Sequence, residues 1–320
     1  MKISIKISNV SLVGILALFL VNCDNSSIYQ DEFFKNQVFL LSDADNVYGA
    51  SYTLNELNEQ VTRYVSVGCG GSNSNQREIK VILEPNPSML DKYNSLNYDL
   101  EEQYAKQLPA NMYHIDEPYS VTIPALSGYH YARMPVKVNP LGLSPDSIYF
   151  IPLKIKSVSE YEVNEDKKDV LFRVAIENEY AKQLIPTYYA KSGSMTEGAS
   201  ATVLSGTKLV QPLDFDRVRM LVGNNKYDQN TTVDDINRLS VVVQVLIDKD
   251  NTLLVTPYVS EFMEVEMLDG PGYNRYDPEK MQGTTKQRVF YLNYRFRSIT
   301  NGTYSAWRDV EERLIRIEDN

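Results

Sequence analysis

Cysteine and histidine are almost missing from this chain, which has Cys23, Cys69, His114 and His130 and no others among its 320 residues. So few cysteines exclude a disulfide framework, and an exported chain without one has to be held by packed cores. The histidines lack metal-ligand spacing and Cys69 has no second cysteine near it, so no metal and no cofactor is expected. Blocks of Lys or Arg are missing too. With a formal net charge of −10 and a pI of about 4.9, nucleic acid and anionic lipid are not expected partners, because phosphate binding needs a basic surface. The apolar run from Val10 to Val21 is about a dozen residues, against the ~20 that a spanning helix needs.

Catalytic signatures are equally sparse. There is no Gly-x-Ser-x-Gly elbow. The glycine-rich stretch Gly68–Asn75 lacks the Lys-Ser/Thr of a phosphate loop and reads as a flexible loop. The acidic turns Asp43–Asn46 and Asp248–Asn251 carry Tyr48 and Leu253 where a calcium loop needs glycine, and both read as hairpin turns. Glycosidase chemistry asks only for two carboxylates across a cleft. The same-face pairs Glu264/Glu266 and Glu160/Glu162 are candidates by spacing alone and read as solvated strand faces.

What is present begins with an address. Lys2 and Lys6 precede the apolar run, as in a secretory signal, but the small residues of an A-x-A cleavage site are absent. Leu20-Val21-Asn22-Cys23 instead resembles a bacterial lipobox, in which the cysteine becomes the lipidated first residue of the mature chain. Asn22 departs from the Gly, Ala or Ser usual there. The expectation is a signal peptide over residues 1–22, a lipid anchor on Cys23 and a tether over residues 23–35. The acyl chains then carry the membrane affinity, at ~0.8 kcal/mol per buried CH₂.

Tyrosine is abundant, with 23 residues, and points to β-structure. Short alternating runs at Gln37–Ser42, Gln60–Val67, Arg77–Glu84, Tyr119–Ala125, His130–Val138, Ser147–Lys156 and Asp169–Glu177 read as strands of a sandwich of immunoglobulin type. One helix is expected at Ser88–Lys106, opened by Pro87 and ended by Pro109. A boundary falls near Glu177–Pro186, and Lys191–Ser200 reads as loop. Strands follow at Ala201–Val210, Arg217–Val222, Leu239–Ile247, Thr252–Val259, Glu261–Leu268 and Arg288–Arg297, a meander that favours an up-and-down barrel. In the last segment Trp307, Val310, Leu314 and Ile317 fit helical spacing, while a strand would place Val310, Glu312, Leu314 and Arg316 on one face.

Three stretches of the first half, Met89–Asn97, Gln107–Ile115 and Ile148–Ser159, resemble the N-terminal domain of a family of two-domain Bacteroidetes surface lipoproteins of polysaccharide-utilisation loci. Tyr276–Phe296 with Val310-x-Glu312-x-Leu314-x-Arg316 resembles its C-terminal domain. The resemblance implies an all-β chain: an Ig-like β-sandwich over residues 36–180 and a lipocalin-like β-barrel over residues 181–320. It also implies a strand at Trp307–Ile317, paired with Arg288–Arg297, and places the protein at the outer membrane or cell surface. Lys280–Gln287 departs from the pattern and is expected to be a longer hairpin loop.

The functional expectation is non-catalytic binding of an extracellular glycan. Cell adhesion or protein docking through an exposed strand edge is the alternative, and a glycoside hydrolase the third reading. Aromatics of the C-terminal half are the candidate ligand residues: Trp307, Tyr291, Tyr273 and Tyr276. In the strand Arg288–Arg297, Tyr291 shares a face with Asn293 and Arg295, so a flat ring lies beside groups that bond hydroxyls. Asp146-Ser147-Ile148 resembles a short O-glycosylation signal and also reads as a turn entering a strand.

Overall fold

The computed structural model describes residues 34–126, 130–228 and 230–317; Cys23 and its signal lie outside them. The described chain is all-β but for two short helices and a few single turns. In the first half, β1 (Gln37–Leu40), β3 (Val61–Gly70) and β6 (Tyr131–Val138) form one sheet, flanked by the two-residue strands Glu162–Val163 and Tyr113–His114. The facing sheet runs β2 (Val47–Thr53), β8 (Asp169–Glu177), β7 (Tyr149–Val158), β4 (Ile79–Pro85) and β5 (Ser120–Ile123). Alternation explains the layer between them: Val65, Val67, Met134 and Val136 point in from one sheet, Val81, Leu153, Val170 and Phe172 from the other. Strand β8 is apolar on both faces because its outer face is also covered. Its Leu171 packs with Phe150 against Leu90 of helix α1 (Pro87–Asn97).

Helix α1 starts at Pro87, whose missing N–H costs nothing in a first turn. It ends earlier than the expected Lys106. Buried Asn94 donates to the Ala105 carbonyl (2.9 Å) and accepts from the Ala105 amide (2.9 Å), folding the chain back after Tyr98. The turn Asp43–Asn46 also departs from expectation: it carries the chain from one sheet to the other and closes no hairpin.

The second half builds a ring of strands: β9 (Thr187–Glu197), β10 (Ser200–Asp214), β11 (Arg217–Leu221), β12 (Ser240–Leu246), β13 (Thr252–Pro257), β15 (Arg275–Gln282), β16 (Thr285–Thr300) and β17 (Arg308–Ile317). Pairing of β17 with both β16 and β9 closes the ring, and β14 (Met263–Met267) pairs with the far end of β16. The seam between β13 and β15 is thin, a single residue pair, Thr252 with Arg275. Helix α2 (Val233–Leu239), capped reciprocally by Thr232 and Asp235, precedes β12.

Three expectations for this half are corrected. Lys191–Ser200 is strand through Glu197, since polar residues are tolerated where neighbours on both sides complete the ladder, and Gly193 lets β17 approach. A Cβ on Gly193 would lie 2.0 Å from the Glu311 carbonyl oxygen. Lys280–Gln287 is the tip of a hairpin, as expected, but not a long loop: β15 and β16 stay paired to Gln282 and Thr285 and turn at Gly283 with positive φ. Tyr276 is buried: it packs inside the barrel against Tyr180 and Phe290.

The final segment is a strand, and it carries Glu312 into the barrel interior at 0% exposure. Lys208, from β10, meets it with Nζ 2.6 Å from one carboxylate oxygen. Arg316, nearer the rim, donates to the Tyr180 carbonyl (2.9 Å). Of the two inward charged residues of this strand, Glu312 is ion-paired and Arg316 is bonded to a backbone carbonyl.

The halves meet through specific contacts. Buried Arg219 of β11 binds Asp146 of the first half and Gln211 (2.6 Å), with its guanidinium 4.7 Å from the Tyr258 ring centroid. Gln183, in the connecting segment, donates to the carbonyls of Pro145 (3.0 Å) and Ser147 (2.9 Å). Asp146-Ser147-Ile148 is therefore a turn into β7 that doubles as an interdomain contact.

Candidate functional site

The aromatic face expected on the barrel forms, but its rings are half-buried and engaged by neighbouring side chains. Tyr291, Asn293 and Arg295 do share the outer face of β16. The Trp307 ring lies under two guanidiniums, Arg295 and Arg297, each 4.6 Å from its centroid. Those arginines are tied in turn to Glu266 (2.5 Å) and Glu264 (2.6 Å), the pair read as solvated. Arg275 lies 4.4 Å from the Tyr291 centroid, and Tyr273 meets Tyr291 edge-on. The Tyr273 hydroxyl donates to Glu311 (2.6 Å), a bond that pushes its pKa up to about 12. The structure thus brings Trp307, Tyr291 and Tyr273 to one wall and puts Tyr276 behind it.

A more open arrangement lies on the first domain, beside α1. A hollow of about 420 Å³ is bounded by Asp45, Asn46, Asn86, Lys92, Tyr93 and Asp169, with Met89 and Leu96 among its apolar lining. That volume falls in the ~300–1,000 Å³ range of small-ligand sites. Tyr93 is positioned by the helix: it follows Leu90 by three residues, so both meet the sheet, and its ring stands edge-on to Phe150 at 5.1 Å. Burial, then the neighbouring Tyr98, pushes its phenol up to about 12, so it stays a neutral hydroxyl at physiological pH. The polar rim is preset. Asn86 donates to Asp169 (2.7 Å) and accepts from Ser88 (2.8 Å), while Asn46 donates to the Asp166 carbonyl (3.0 Å). A half-buried ring among fixed amides and carboxylates offers an apolar face for C–H groups and partners for hydroxyls.

In the sequence, Met89–Asn97 reads as helix and carries a family likeness, but its role as a site wall is not apparent there. The signal in the sequence is Tyr93 flanked by Asn86 and Asn97; Asp169 and Asn46 arrive from distant strands.

The metal expectation concerned His114 and His130. His114 lies 2.9 Å from Asp116, and no cluster of ligating residues occurs among the described residues. Cys69 is buried, which pushes its thiol pKa up and keeps it protonated.

Several solved structures share this architecture. A Bacteroides ovatus protein of unknown function is 17% identical with a TM-score of 0.67, over 88% of this chain and 94% of its own. A multidomain protein of the same species is 17% identical with a TM-score of 0.63, over the same shares. An auxiliary nutrient binding protein from Bacteroides thetaiotaomicron is 14% identical with a TM-score of 0.58, over 86% of this chain and 92% of its own. At such identities the likeness is one of fold. No curated protein matches the sequence. A family model for an N-terminal domain matches residues 34–162, and its C-terminal counterpart matches residues 168–315, a division that falls before β8. Together the two matches span most of the sequence, one on each half of the chain.

Proposed function

We propose that the chain is a lipid-anchored, extracytoplasmic accessory protein that binds glycan without cleaving it. In this reading an Ig-like sandwich presents the ligand site, a lipocalin-like barrel supports it, and Cys23 holds both at the outer membrane or cell surface. The observation that carries it is the hollow beside α1, where Tyr93, fixed on Phe150, stands among preset Asn86, Asn46 and Asp169. The auxiliary nutrient binding relative, similar in fold over most of both chains, supports the same direction.

The barrel wall is the second location. Trp307, Tyr291 and Tyr273 reach the surface there, and a sugar stacking on Trp307 has first to displace Arg295 or Arg297. Loss of a stacking ring costs ~1–3 kcal/mol by analogy with bases on aromatics. Millimolar affinity amounts to only about −4 kcal/mol. Tyr93→Ala should therefore abolish measurable affinity for a glycan identified on an array, while Trp307→Ala and Tyr291→Ala leave it unchanged. The reverse pattern moves the site to the barrel wall, and an array without any bound glycan favours protein docking. Release of shorter oligosaccharides on prolonged incubation, lost in Asp169→Asn, would make the protein a hydrolase. For the anchor, Cys23→Ala should shift the protein from the membrane fraction to the soluble one, and a variant that stays with membranes through a carbonate wash refutes it.

A further inference from the structure

A second concavity of the first half has a different chemistry. It is a groove of about 390 Å³ lined by Tyr48, Gly49, Ala50 and Ser51 of β2, Arg63, Tyr64 and Ser66 of β3, and Arg133 of β6. β2 is an edge strand of its sheet, so the groove runs along the open side of the sandwich. Two tyrosines keep much of their surface in solvent, Tyr48 at 39% and Tyr64 at 43%. Tyr48 is held by stacking on Phe172, with centroids 5.9 Å apart.

The guanidiniums are held by rings and not by acids. Arg133 lies over Tyr131 (5.2 Å) and Tyr64 (5.9 Å) and donates to the Tyr131 hydroxyl (3.3 Å). Arg63 lies over Tyr52 (5.7 Å) and donates to the Thr62 carbonyl (3.0 Å). Neither has a carboxylate within 4.0 Å among the described residues, in a chain whose formal charge is −10. Most of each planar fork stays open, and a guanidinium fork matches a carboxylate or sulfate oxygen pair. In an acidic protein, two arginines oriented by rings and without a carboxylate partner in one groove present donors that suit an anion. The exposed tyrosines beside them supply apolar faces of the size of a sugar ring.

We infer that the groove formed by Tyr48, Tyr64, Arg63 and Arg133 is a binding site for an anionic saccharide, one bearing uronate carboxylates or sulfate esters. The inference rests on the glycan-binding reading but uses a site separate from the Tyr93 hollow.

The test is titration of the full chain with polygalacturonate, dextran sulfate, unmodified dextran and polyglutamate, repeated for Arg63→Gln/Arg133→Gln, Arg133→Lys and Tyr93→Ala. The expected result is binding of a charged polysaccharide that weakens at least tenfold in the double glutamine variant, partly returns with Arg133→Lys and falls with added salt; binding lost in Tyr93→Ala but kept in the double glutamine variant overturns the inference. Polygalacturonate against dextran sulfate then identifies the anion as carboxylate or sulfate. Equal binding of polyglutamate through the same arginines overturns the inference in favour of an acidic peptide. Failure of both charged polysaccharides overturns it as well. If an array glycan is still bound through Tyr93 in that case, the glycan reading stands without this groove. Thermal melts of each variant separate lost binding from lost folding, and Arg133→Gln alone is the variant to use if the double one melts early.

Discussion

Arginine meets aromatic rings on both halves of this molecule, in two different settings. On the barrel wall Arg295 and Arg297 cover Trp307 and are themselves paired to Glu266 and Glu264, so ring, cation and anion are all satisfied within the chain. In the sandwich groove Arg63 and Arg133 lie over tyrosines with no acid near them. Inside, the contrast reverses. Among the described residues the sandwich core holds no charged side chain, whereas the barrel interior holds the Lys208–Glu312 pair and Lys191 bonded to Asn224 (2.8 Å). Closed strands bring inward-facing positions from all sides within reach of one another, so an inward charge can find a partner. An open-sided sandwich offers its charges to solvent and ligand.

The largest effect expected from this contrast is in the barrel interior. Glu312→Ala leaves the Lys208 ammonium buried and alone, and should destabilise by about 3–5 kcal/mol in urea unfolding. Replacing both partners, Lys208→Met with Glu312→Leu, should restore wild-type stability or exceed it; a double variant as weak as the single one would show that the pair also sets the strand register. The next effect concerns the contact between the halves. Arg219→Ala removes charge-assisted bonds to Asp146 and Gln211 and should cost about 1.5–3 kcal/mol. Calorimetry should then separate the unfolding of the two domains, and a single unshifted transition would contradict the assigned role.

The smaller effects probe the surface arginines directly. Arg297→Ala loses a stacking cation and a half-buried ion pair, so a drop of ~0.5–1 kcal/mol is expected, smaller at high salt. In the groove, Arg133→Gln should change stability by no more than ~0.5 kcal/mol, because it has no acid to strand. Comparable losses at Arg297 and Arg133 would erase the distinction between a self-satisfied wall and a groove open to ligand.

How much of this was legible beforehand varies with the kind of residue. Asp169–Glu177 and Arg288–Arg297 stood out because apolar residues recur with strand spacing, and both are strands. Val47–Thr53 and Thr187–Glu197 did not, because Gly, Ala, Ser and Thr dominate them and leave no hydrophobic pattern. The aromatics of the C-terminal half were read as exposed ligands; composition cannot show that arginines two residues apart on β16 would cover the Trp307 ring. Tyr276 failed for a related reason, since its phenol is compatible with either face and the barrel supplied the buried one.

The sequence by itself determined an all-β chain, most of its strand positions and the face that Tyr291 shares with Asn293 and Arg295. It did so because side-chain alternation is a local property of extended backbone. Only the tertiary structure decided the state of Trp307–Ile317, where helical spacing and strand spacing both fit. Glu312 is admissible on an inward face because Lys208, 104 residues earlier, reaches it from β10, the strand beyond β9. The same holds for both concavities of the sandwich. Tyr93 meets Asp169, and Arg63 meets Tyr48 and Arg133, through strand pairing across long stretches of chain, and no local pattern encodes which strands become neighbours.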